Sequence, residues 1–255
     1  MRTQQLEFAK PVVHLEQCAQ AAQRTIDYGG AGPRNGPYSA AGYTRVMSLL
    51  NRIASRSLRL VGVQPAFQAE AYWERRYAAG DDSGAGSDGF NYEFKRDYIR
   101  HVIRTYGTRT AVDLGCGDGR QLFEILTTGA LDEYQGIDVA RSAVERCREL
   151  YRDHPKCRFD GYDTVEWKRY DLALSLDVLY HIVDYRDYLA YLRQLFGCSD
   201  YVLLYAYRRA LPSAVAHMVN RDNFAEIAKL DLPTELIEEQ HHPKKSTSFA
   251  LFRNG

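Results

Sequence analysis

Glycines crowd one short segment of the sequence, VDLGCGDG at residues 112–119. An apolar run ends there at Asp113, and glycines then stand at every second position: Gly115, Gly117 and Gly119. Glycine lets the backbone take positive φ angles and approach a ligand closely, and the amides of a helix that begins near Asp118 can meet an anionic group. In a doubly wound α/β sheet, ligands bind at such a turn, beyond the carboxyl end of the first strand. The segment therefore predicts a ligand-binding turn.

Polar side chains follow the other apolar segments in this half of the chain. Asp138 ends YQGID, Asp163 lies in FDGYDT, and Asp177 and His181 end the segment around YDLALSLDVLYH. The carboxyl ends of parallel strands meet at one edge of a sheet, so these residues are expected near the glycine turn. An imidazole titrates near neutral pH, which makes His181 a candidate general base.

The composition excludes several classes of function. The chain has 33 Lys and Arg and 33 Asp and Glu, so no overall charge attracts nucleic acid, and a neutral or small substrate is favoured. Its five cysteines are scattered without a CxxC pair, which indicates reduced thiols in the cytoplasm rather than disulfides or structural zinc. The N-terminal segment lacks the apolar core of a signal peptide, and no run approaches the roughly 18 apolar residues of a membrane span. Secretion and integral membrane contact are not expected.

The residue pattern changes near residue 90. Residues 1–89 carry helical patterns broken by glycine-rich loops, which predicts an N-terminal helical cap. From 90 to 255, strand-like and helix-like segments alternate, as in parallel β-α-β units. The predicted strands span 109–114, 133–138, 157–162, 170–176 and 200–206, and the predicted helices span 91–106, 118–128, 140–153 and 184–196. A helix near 221–229 and a hairpin of 234–240 and 247–253 follow, with His241 and His242 at its exposed tip.

The spacing of the glycine turn separates two families of nucleotide-binding proteins. The dinucleotide fingerprint is G-x-G-x-x-G, whereas residues 115–119 read G-x-G-x-G and Arg120 stands where the third dinucleotide glycine falls. VDLGCGDG instead resembles the first motif of class I S-adenosylmethionine-dependent methyltransferases, and the later motifs follow in the family's order over residues 109–207. The resemblance implies a Rossmann-like, mostly parallel α/β sheet of seven strands in the order 3-2-1-4-5-7-6, with the last strand antiparallel.

The same resemblance implies a cofactor and the residues that bind it. The cofactor is S-adenosylmethionine, with S-adenosylhomocysteine as the product; Asp138 accepts hydrogen bonds from both ribose hydroxyls, and Asp163 lies near the adenine amine. YWERRYAAGDDSGAGSDG at 72–89 resembles the leader of a bacterial small-molecule subgroup, whose aromatic residues and Arg76 cover the methionine end of the cofactor and whose serine loop helps close the site. The implied cofactor-binding residues are Tyr72, Trp73, Arg76, Tyr77, Ser87, Asp113, Gly115, Cys116, Gly117, Asp118, Gly119, Asp138, Val139, Asp163, Thr164, Leu176 and Asp177.

Several of these residues also have a structural interpretation. Asp138 can cap the helix that follows it, Asp113 can support the glycine turn, and Asp163 can form a turn. Asp177 can contact the methionine amino group, polarise the acceptor or cap the following helix. His181 can be a helix-start residue that touches no substrate. The catalytic candidates are therefore His181 and Asp177, with these alternatives open.

The reaction implied is an in-line displacement, in which an acceptor oxygen or nitrogen attacks the methyl group. A small-molecule acceptor is expected, preferably a hydroxyl of a sugar, glycoconjugate or secondary metabolite; the alternatives are a small amine, a non-catalytic cofactor-binding module and a nicotinamide oxidoreductase. The fifth predicted strand ends LLYAYRR, without the second carboxylate that metal-dependent relatives place there, and LDVLYH is not the D/N-P-P-Y/F element of DNA amino-methyltransferases. No metal and no nucleic-acid partner are therefore expected.

A basic segment lies in the predicted cap. TRVMSLLNRIASRSLRLV at 44–61 has arginines between apolar residues near helical spacing. It can lie peripherally on an anionic surface or meet an anionic acceptor, or it can form a lid with a solvated basic face. The protein is expected to be a monomer or a homodimer.

Overall fold

The computed structural model describes residues 67–84, 89–122, 129–213, 215 and 217–255. Phe67–Gly255 form one compact unit. The basic segment at 44–61, the rest of the predicted cap before residue 67, and Ser87 lie outside the described residues. The division of the chain at residue 89 stays a prediction.

A seven-stranded sheet forms the centre of the compact unit. Its strands are β1 (Thr110–Leu114), β2 (Glu133–Asp138), β3 (Cys157–Gly161), β4 (Tyr170–Leu176), β5 (Ser199–Tyr207), β6 (Thr234–His241) and β7 (Thr247–Asn254). Their spatial order is β3-β2-β1-β4-β5-β7-β6. Strands β1 to β5 pair in parallel, and β7 lies antiparallel between β5 and β6. The predicted fold class, strand order and antiparallel last strand are confirmed.

Helices and short 3₁₀ turns connect the strands. They are α1 (Ala69–Ala78), α2 (Gly89–Tyr106), α3 (Arg141–Leu150), α4 (Tyr185–Gly197) and α5 (Asn223–Ala228), with 3₁₀ turns at Arg120–Leu122 and Leu179–His181. Helix α4 begins at the predicted place because Asp184 accepts hydrogen bonds from the amides of Arg186 and Asp187. None of the helices in the described ranges is long and apolar enough to cross a membrane.

Two apolar clusters cover the two faces of the sheet. Ala111 belongs to the cluster on one face, with Ile99 of α2 and Val144 of α3. Its neighbour Val112 belongs to the cluster on the other face, with Leu192 of α4. Side chains alternate along a strand, so a run of buried apolar residues is what a parallel sheet covered on both faces requires. The carboxyl ends of β1, β2 and β4 remain open, and the candidate site lies there.

One predicted feature differs from the structure, and another lies partly outside the described residues. Of the predicted helix at 118–128, the described part is the 3₁₀ turn Arg120–Leu122, and residues 123–128 lie outside the described residues. His242, predicted to be exposed, is 4% exposed. The hairpin tip folds against α2, where the His242 ring meets the Phe94 ring edge-on with centroids 4.8 Å apart. The prediction failed because the polar tip sequence does not reveal this tertiary contact.

Candidate active site

A cavity of about 1090 Å³ lies at the carboxyl ends of the central strands. Most of the predicted site residues line it: Trp73, Tyr77, Asp113, Gly115, Cys116, Gly117, Asp118, Asp138, Val139, Leu176, Asp177 and His181. Five others do not belong to the lining, namely Tyr72, Arg76, Gly119, Asp163 and Thr164. The structure therefore brings together residues from the leader, the glycine turn and the ends of β2 and β4.

The glycine turn requires glycine at each of its three positions. Gly115, Gly117 and Gly119 have φ angles of +90°, +56° and +71°, which side-chain-bearing residues rarely adopt. A Cβ atom on Gly115 would lie 2.4 Å from Val178 Cγ2, so the segment after β4 packs directly on the turn. A Cβ atom on Gly119 would lie 2.9 Å from Cys147 Sγ of α3. The turn is thus held between α3 and the end of β4.

Asp138 ends β2 and faces the same turn. Its two carboxylate oxygens accept hydrogen bonds from the amides of Gly117, at 2.9 Å, and Ala140, at 2.8 Å. The side chain is 6% exposed, and this burial raises its pKa to about 6 against the opposing effect of the backbone amides. The carboxylate is therefore ionised at neutral pH and keeps acceptor capacity for a further donor.

The helix-capping alternative for Asp138 involves another residue as well. The side chain of Glu74, on α1, accepts a hydrogen bond from the amide of Ser142 in the first turn of α3, at 3.0 Å. An acceptor at this position satisfies a helix amide that has no intrahelical partner. The leader helix, rather than Asp138 alone, therefore stabilises the start of α3.

Asp113 lies behind the glycine turn and is 2% exposed. One carboxylate oxygen accepts a hydrogen bond from the Tyr134 hydroxyl at 3.1 Å, and the other has no partner among the described residues. Burial raises the pKa of Asp113 to about 7. A buried carboxylate oxygen without a donor is costly when it is charged, and this cost favours the protonated form of Asp113.

The leader covers the turn through a small hydrogen-bond network. The Ser83 amide donates to the Asp118 carboxylate at 3.3 Å, and the Asp118 amide donates to the Ser83 hydroxyl at 3.2 Å. The Tyr77 hydroxyl lies 3.2 Å from the same Ser83 oxygen. Arg76 points elsewhere, because its Nε donates to the carbonyl oxygen of Asp82 at 2.8 Å. Tyr77 and Ser83 are thus the leader residues closest to the glycine turn.

Aromatic rings surround His181 at the leader side of the cavity. Its ring meets Trp73 edge-on at 4.8 Å and lies parallel to the His217 ring at 5.7 Å, which in turn stacks on Tyr72 at 4.7 Å. His181 Nδ1 lies 3.4 Å from the carbonyl oxygen of His217; since a carbonyl only accepts, Nδ1 carries the proton. Burial lowers the pKa of His181 to about 4. The imidazole is therefore neutral at pH 7, with a lone pair on Nε2.

Asp177 has a lysine partner that the sequence patterns did not predict. Lys95, on α2, donates from Nζ to Asp177 Oδ2 at 2.8 Å, and the Tyr180 hydroxyl donates to Asp177 Oδ1 at 2.9 Å. Lys95 is 1% exposed and lines the cavity. Asp177 itself has a φ of +62°, in the left-handed region. Both carboxylate oxygens are thus engaged, and the geometry favours an anchoring role for Asp177.

The loop after β3 places two aromatic residues, rather than the predicted polar pair, in the lining of the cavity, and the predicted cofactor contacts of Asp163 and Thr164 stay a prediction. Asp163 and Thr164 are exposed, and the Thr164 hydroxyl accepts a hydrogen bond from the Gly161 amide at 3.1 Å. Tyr162 and Trp167 line the cavity instead, with ring centroids 5.9 Å apart. The signal that could have found them is the large aromatic content of a loop that follows a strand at the ligand-binding edge.

The side chains of the described residues also bear on whether the protein holds a metal site. The described residues contain no group of three or more His, Cys, Asp or Glu side chains that could hold a metal ion. The predicted absence of a metal stays a prediction.

Comparisons with known proteins agree on one class of enzyme. Residues 112–198 match the family described as "Methyltransferase domain". These residues run from β1, through the glycine turn and Asp138, to the end of α4. Curated protein sequences give no significant match.

Solved structures with the same fold include three methyltransferases. The N-methyltransferase NodS from Bradyrhizobium japonicum WM9, in complex with S-adenosylhomocysteine, is 16% identical, with 74% of this chain and 99% of that chain covered and a TM-score of 0.58. CcbJ from Streptomyces caelestis is 11% identical, with 74% and 99% covered and a TM-score of 0.57. Magnesium protoporphyrin IX methyltransferase (ChlM) from Synechocystis PCC 6803, with bound S-adenosylmethionine, is 14% identical, with 76% and 100% covered and a TM-score of 0.55. At these identities the likeness concerns the fold.

The residues of the cavity fit S-adenosylmethionine. The bare backbone of the glycine turn permits close approach, and the Asp138 carboxylate is an acceptor for hydroxyl donors. The Trp73 ring offers the aromatic face that a cation such as a sulfonium favours. The match of residues 112–198 to a methyltransferase domain, the strand order of the sheet and the fit of these residues together support an S-adenosylmethionine-dependent methyltransferase.

Proposed function

We propose that the enzyme methylates a hydroxyl group of a small molecule, such as a sugar, a glycoconjugate or a secondary metabolite. The observation that carries this proposal is the neutral imidazole of His181 in the cavity wall, whose Nε2 has no hydrogen-bond partner among the described residues. A hydroxyl must lose its proton as it attacks the methyl group, and a neutral imidazole can take it. The aromatic rings around His181 suit an acceptor with a flat or ring-shaped face.

The adenine, the ribose and the methionine end of the cofactor would each have matching residues in the cavity. Asp138 would accept hydrogen bonds from the ribose hydroxyls, and Tyr162 and Trp167 would pack on the adenine. Trp73 and Tyr77 would lie at the methionine end, near the glycine turn. When bound, S-adenosylmethionine supplies an electrophilic methyl group on a positively charged sulfur. The protein positions the acceptor, excludes water and receives the proton at His181 Nε2.

The His181→Ala variant tests the proposed base. We expect its turnover number to fall about 100-fold, at the low end of the range for general bases because an imidazole of low pKa is a weak base. The affinity for S-adenosylhomocysteine should stay that of the parent. In the parent, kcat at saturating substrates should stay level from pH 8 to about pH 5, since His181 remains deprotonated above its pKa of about 4.

A matched control is His154→Ala, because His154 lies outside the cavity. This variant should keep the turnover of the parent. Unchanged turnover in His181→Ala with a hydroxyl acceptor would remove the residue from the mechanism while leaving the methyltransferase assignment intact.

Methylation of a small amine is the second candidate. The carboxylates of Glu70, Asp184 and Asp187 line the same cavity, and such groups attract a cationic amine. Paired acceptors that differ only in a hydroxyl or an amine, supplied with labelled S-adenosylmethionine, would separate the two. Label in the amine alone would replace the hydroxyl proposal.

The two tryptophans of the chain offer a direct measure of cofactor binding. Trp73 and Trp167 both line the cavity, on α1 and on the loop after β3. We expect S-adenosylhomocysteine to change the fluorescence of both single-tryptophan variants, Trp73→Phe and Trp167→Phe, over the same concentration range. A Trp73→Phe protein that binds the product by calorimetry without any change in emission would place Trp167 away from the adenosine.

Three expectations concern parts or states of the protein beyond the described residues. The basic segment at 44–61 is proposed to contact an anionic surface or acceptor, and low-salt binding to anionic vesicles measures this. A cytoplasmic location and a monomeric or homodimeric state also remain proposals. Sedimentation analysis measures the second.

A further inference from the structure

Lys95 is a buried charge on a helix whose other buried positions are apolar. It lies on α2 with Ile99, Val102 and Ile103, and it is 1% exposed. Its Nζ donates to Asp177 Oδ2 at 2.8 Å and lies 5.5 Å from the centre of the Tyr205 ring on β5. Buried ion pairs seldom stabilise a fold more than apolar residues of similar volume would. The pair therefore invites a functional explanation.

Its partner Asp177 is fixed in an unusual place. Asp177 is the first residue after β4, has a φ of +62°, and keeps a side chain that is 20% exposed and lines the cavity. The amide of Asp177 donates to the carbonyl of Tyr205 at 3.1 Å, and the Tyr180 hydroxyl holds the second carboxylate oxygen. Backbone, lysine and tyrosine together fix the direction in which this carboxylate faces the cavity.

The strand order places Asp177 opposite Asp138. Strand β1 lies between β2, which ends at Asp138, and β4, which ends just before Asp177. Val178 packs on Gly115, so the carboxylate lies immediately beyond the glycine turn on the β4 side. If the adenosine lies on the β2 side, as in the proposed function, the amino-acid end of the cofactor must extend toward β4. That end carries an ammonium group, for which an oriented carboxylate is the natural partner.

We propose that Lys95 is a positioning residue that holds the Asp177 carboxylate in the orientation that binds the ammonium group at the amino-acid end of S-adenosylmethionine. The inference rests on the proposed placement of the adenosine at Asp138. Without the lysine, the carboxylate would lose the cation that neutralises it in the absence of ligand. It would then turn away from the position in which it faces the ligand.

Two ligands separate this role from a structural one. S-adenosylhomocysteine carries the amino-acid end, whereas 5′-methylthioadenosine has the same adenosine and sulfur without it. We expect Lys95→Met to weaken the affinity for S-adenosylhomocysteine roughly 10- to 100-fold in calorimetry. The affinity for 5′-methylthioadenosine should stay that of the parent, since it makes no contact with Asp177.

Lys168→Met is a closely matched control. Lys168 also pairs with a carboxylate, Glu133, and also lies over a tyrosine ring, Tyr170, at 5.2 Å, but it does not line the cavity. Both affinities should be unchanged in this variant. Equal changes in the two lysine variants would overturn the proposal.

A double variant separates a loss of ligand binding from a loss of stability. Lys95→Met with Asp177→Asn removes both charges, and asparagine also tolerates the left-handed backbone. Its melting temperature should recover toward the parent, while its affinity for S-adenosylhomocysteine stays low. Recovery of that affinity, or an equal loss for 5′-methylthioadenosine, would show that Lys95 acts only on the fold. A parent that binds neither ligand would instead refute the proposed function itself.

Discussion

The Gly117→Val variant is expected to bind no measurable S-adenosylhomocysteine. Gly117 has a φ of +56°, and a Cβ atom there would lie 2.6 Å from Ser83 Oγ and 2.7 Å from the Tyr77 hydroxyl. A β-branched residue must therefore both adopt a disfavoured backbone conformation, at about 1–2 kcal/mol, and push the leader away from the turn. The Gly117 amide would also lose its alignment with Asp138. Together these effects should lower the affinity by roughly 1000-fold or more.

Calorimetric titration of the purified variant measures this loss. Gly107→Val is the matched control, because Gly107 has a φ of +63° and a Cβ atom on it would meet no other described atom within 4 Å beyond its chain neighbours. It should lose stability through backbone strain and keep its affinity. Parent-like binding by Gly117→Val would mean that the cofactor does not lie at this turn.

The Asp138→Ala variant is expected to lose roughly 1000-fold in kcat/KM for S-adenosylmethionine. Two hydrogen bonds from ribose to a charged acceptor would be lost, at about 1.5–3 kcal/mol each. The amides of Gly117 and Ala140 would also lose their acceptors, which loosens the turn. Steady-state kinetics with varied cofactor measures the change. Asp132→Ala, an exposed ion-pair residue just before β2, should leave kcat/KM unchanged. A small effect of Asp138→Ala would assign this residue to the turn rather than to the ribose.

Because the pKa of Asp138 is raised, both the stability of the protein and its affinity for the cofactor should depend on pH through this residue. Burial moves this pKa from 3.8 to about 6, so the folded protein holds the proton more tightly than the unfolded chain does. The contribution of Asp138 to stability is therefore greatest below pH 3.8 and is lost, by about 3 kcal/mol in total, as the pH rises from below 3.8 to above 6. Cofactor binding should have the opposite dependence, because the carboxylate is the form that accepts both hydroxyl donors. The affinity should thus weaken below pH 6 in the parent, and this dependence should be absent in Asp138→Asn.

The sheet was predictable from sequence because its strands carry local signals. Strand β4, predicted at 170–176, spans Tyr170–Leu176, and the run of apolar residues that predicts it is buried from both sides. The glycine turn was predictable for a similar reason, since a positive φ at alternate residues leaves glycine as the only well-tolerated choice. Both features depend on residues that are adjacent in the sequence, so a local sequence pattern is enough to predict them.

Contacts between distant segments were not predictable in this way. Lys95 looks like a solvated residue in the pattern of α2, and its partner Asp177 lies 82 positions away. The family resemblance predicted Asp163 and Thr164 as the cofactor-binding residues of the loop after β3. The residues of this loop that line the cavity include Tyr162 and Trp167. Which side chain of a loop faces inward depends on how the whole loop packs, and no periodicity encodes that.

Because the leader is attached to the glycine turn, a complete site requires the leader as well as the sheet and its helices. Glu74 stabilises the first turn of α3, and Ser83 exchanges hydrogen bonds with Asp118. The leader is therefore bonded both to α3 and to the glycine turn. The segment that matches the methyltransferase family, residues 112–198, contains the glycine turn and the start of α3 but not the leader. A truncated protein that begins at residue 90 would lose Ser83, the acceptor of the Asp118 amide, and would expose the glycine turn to bulk water.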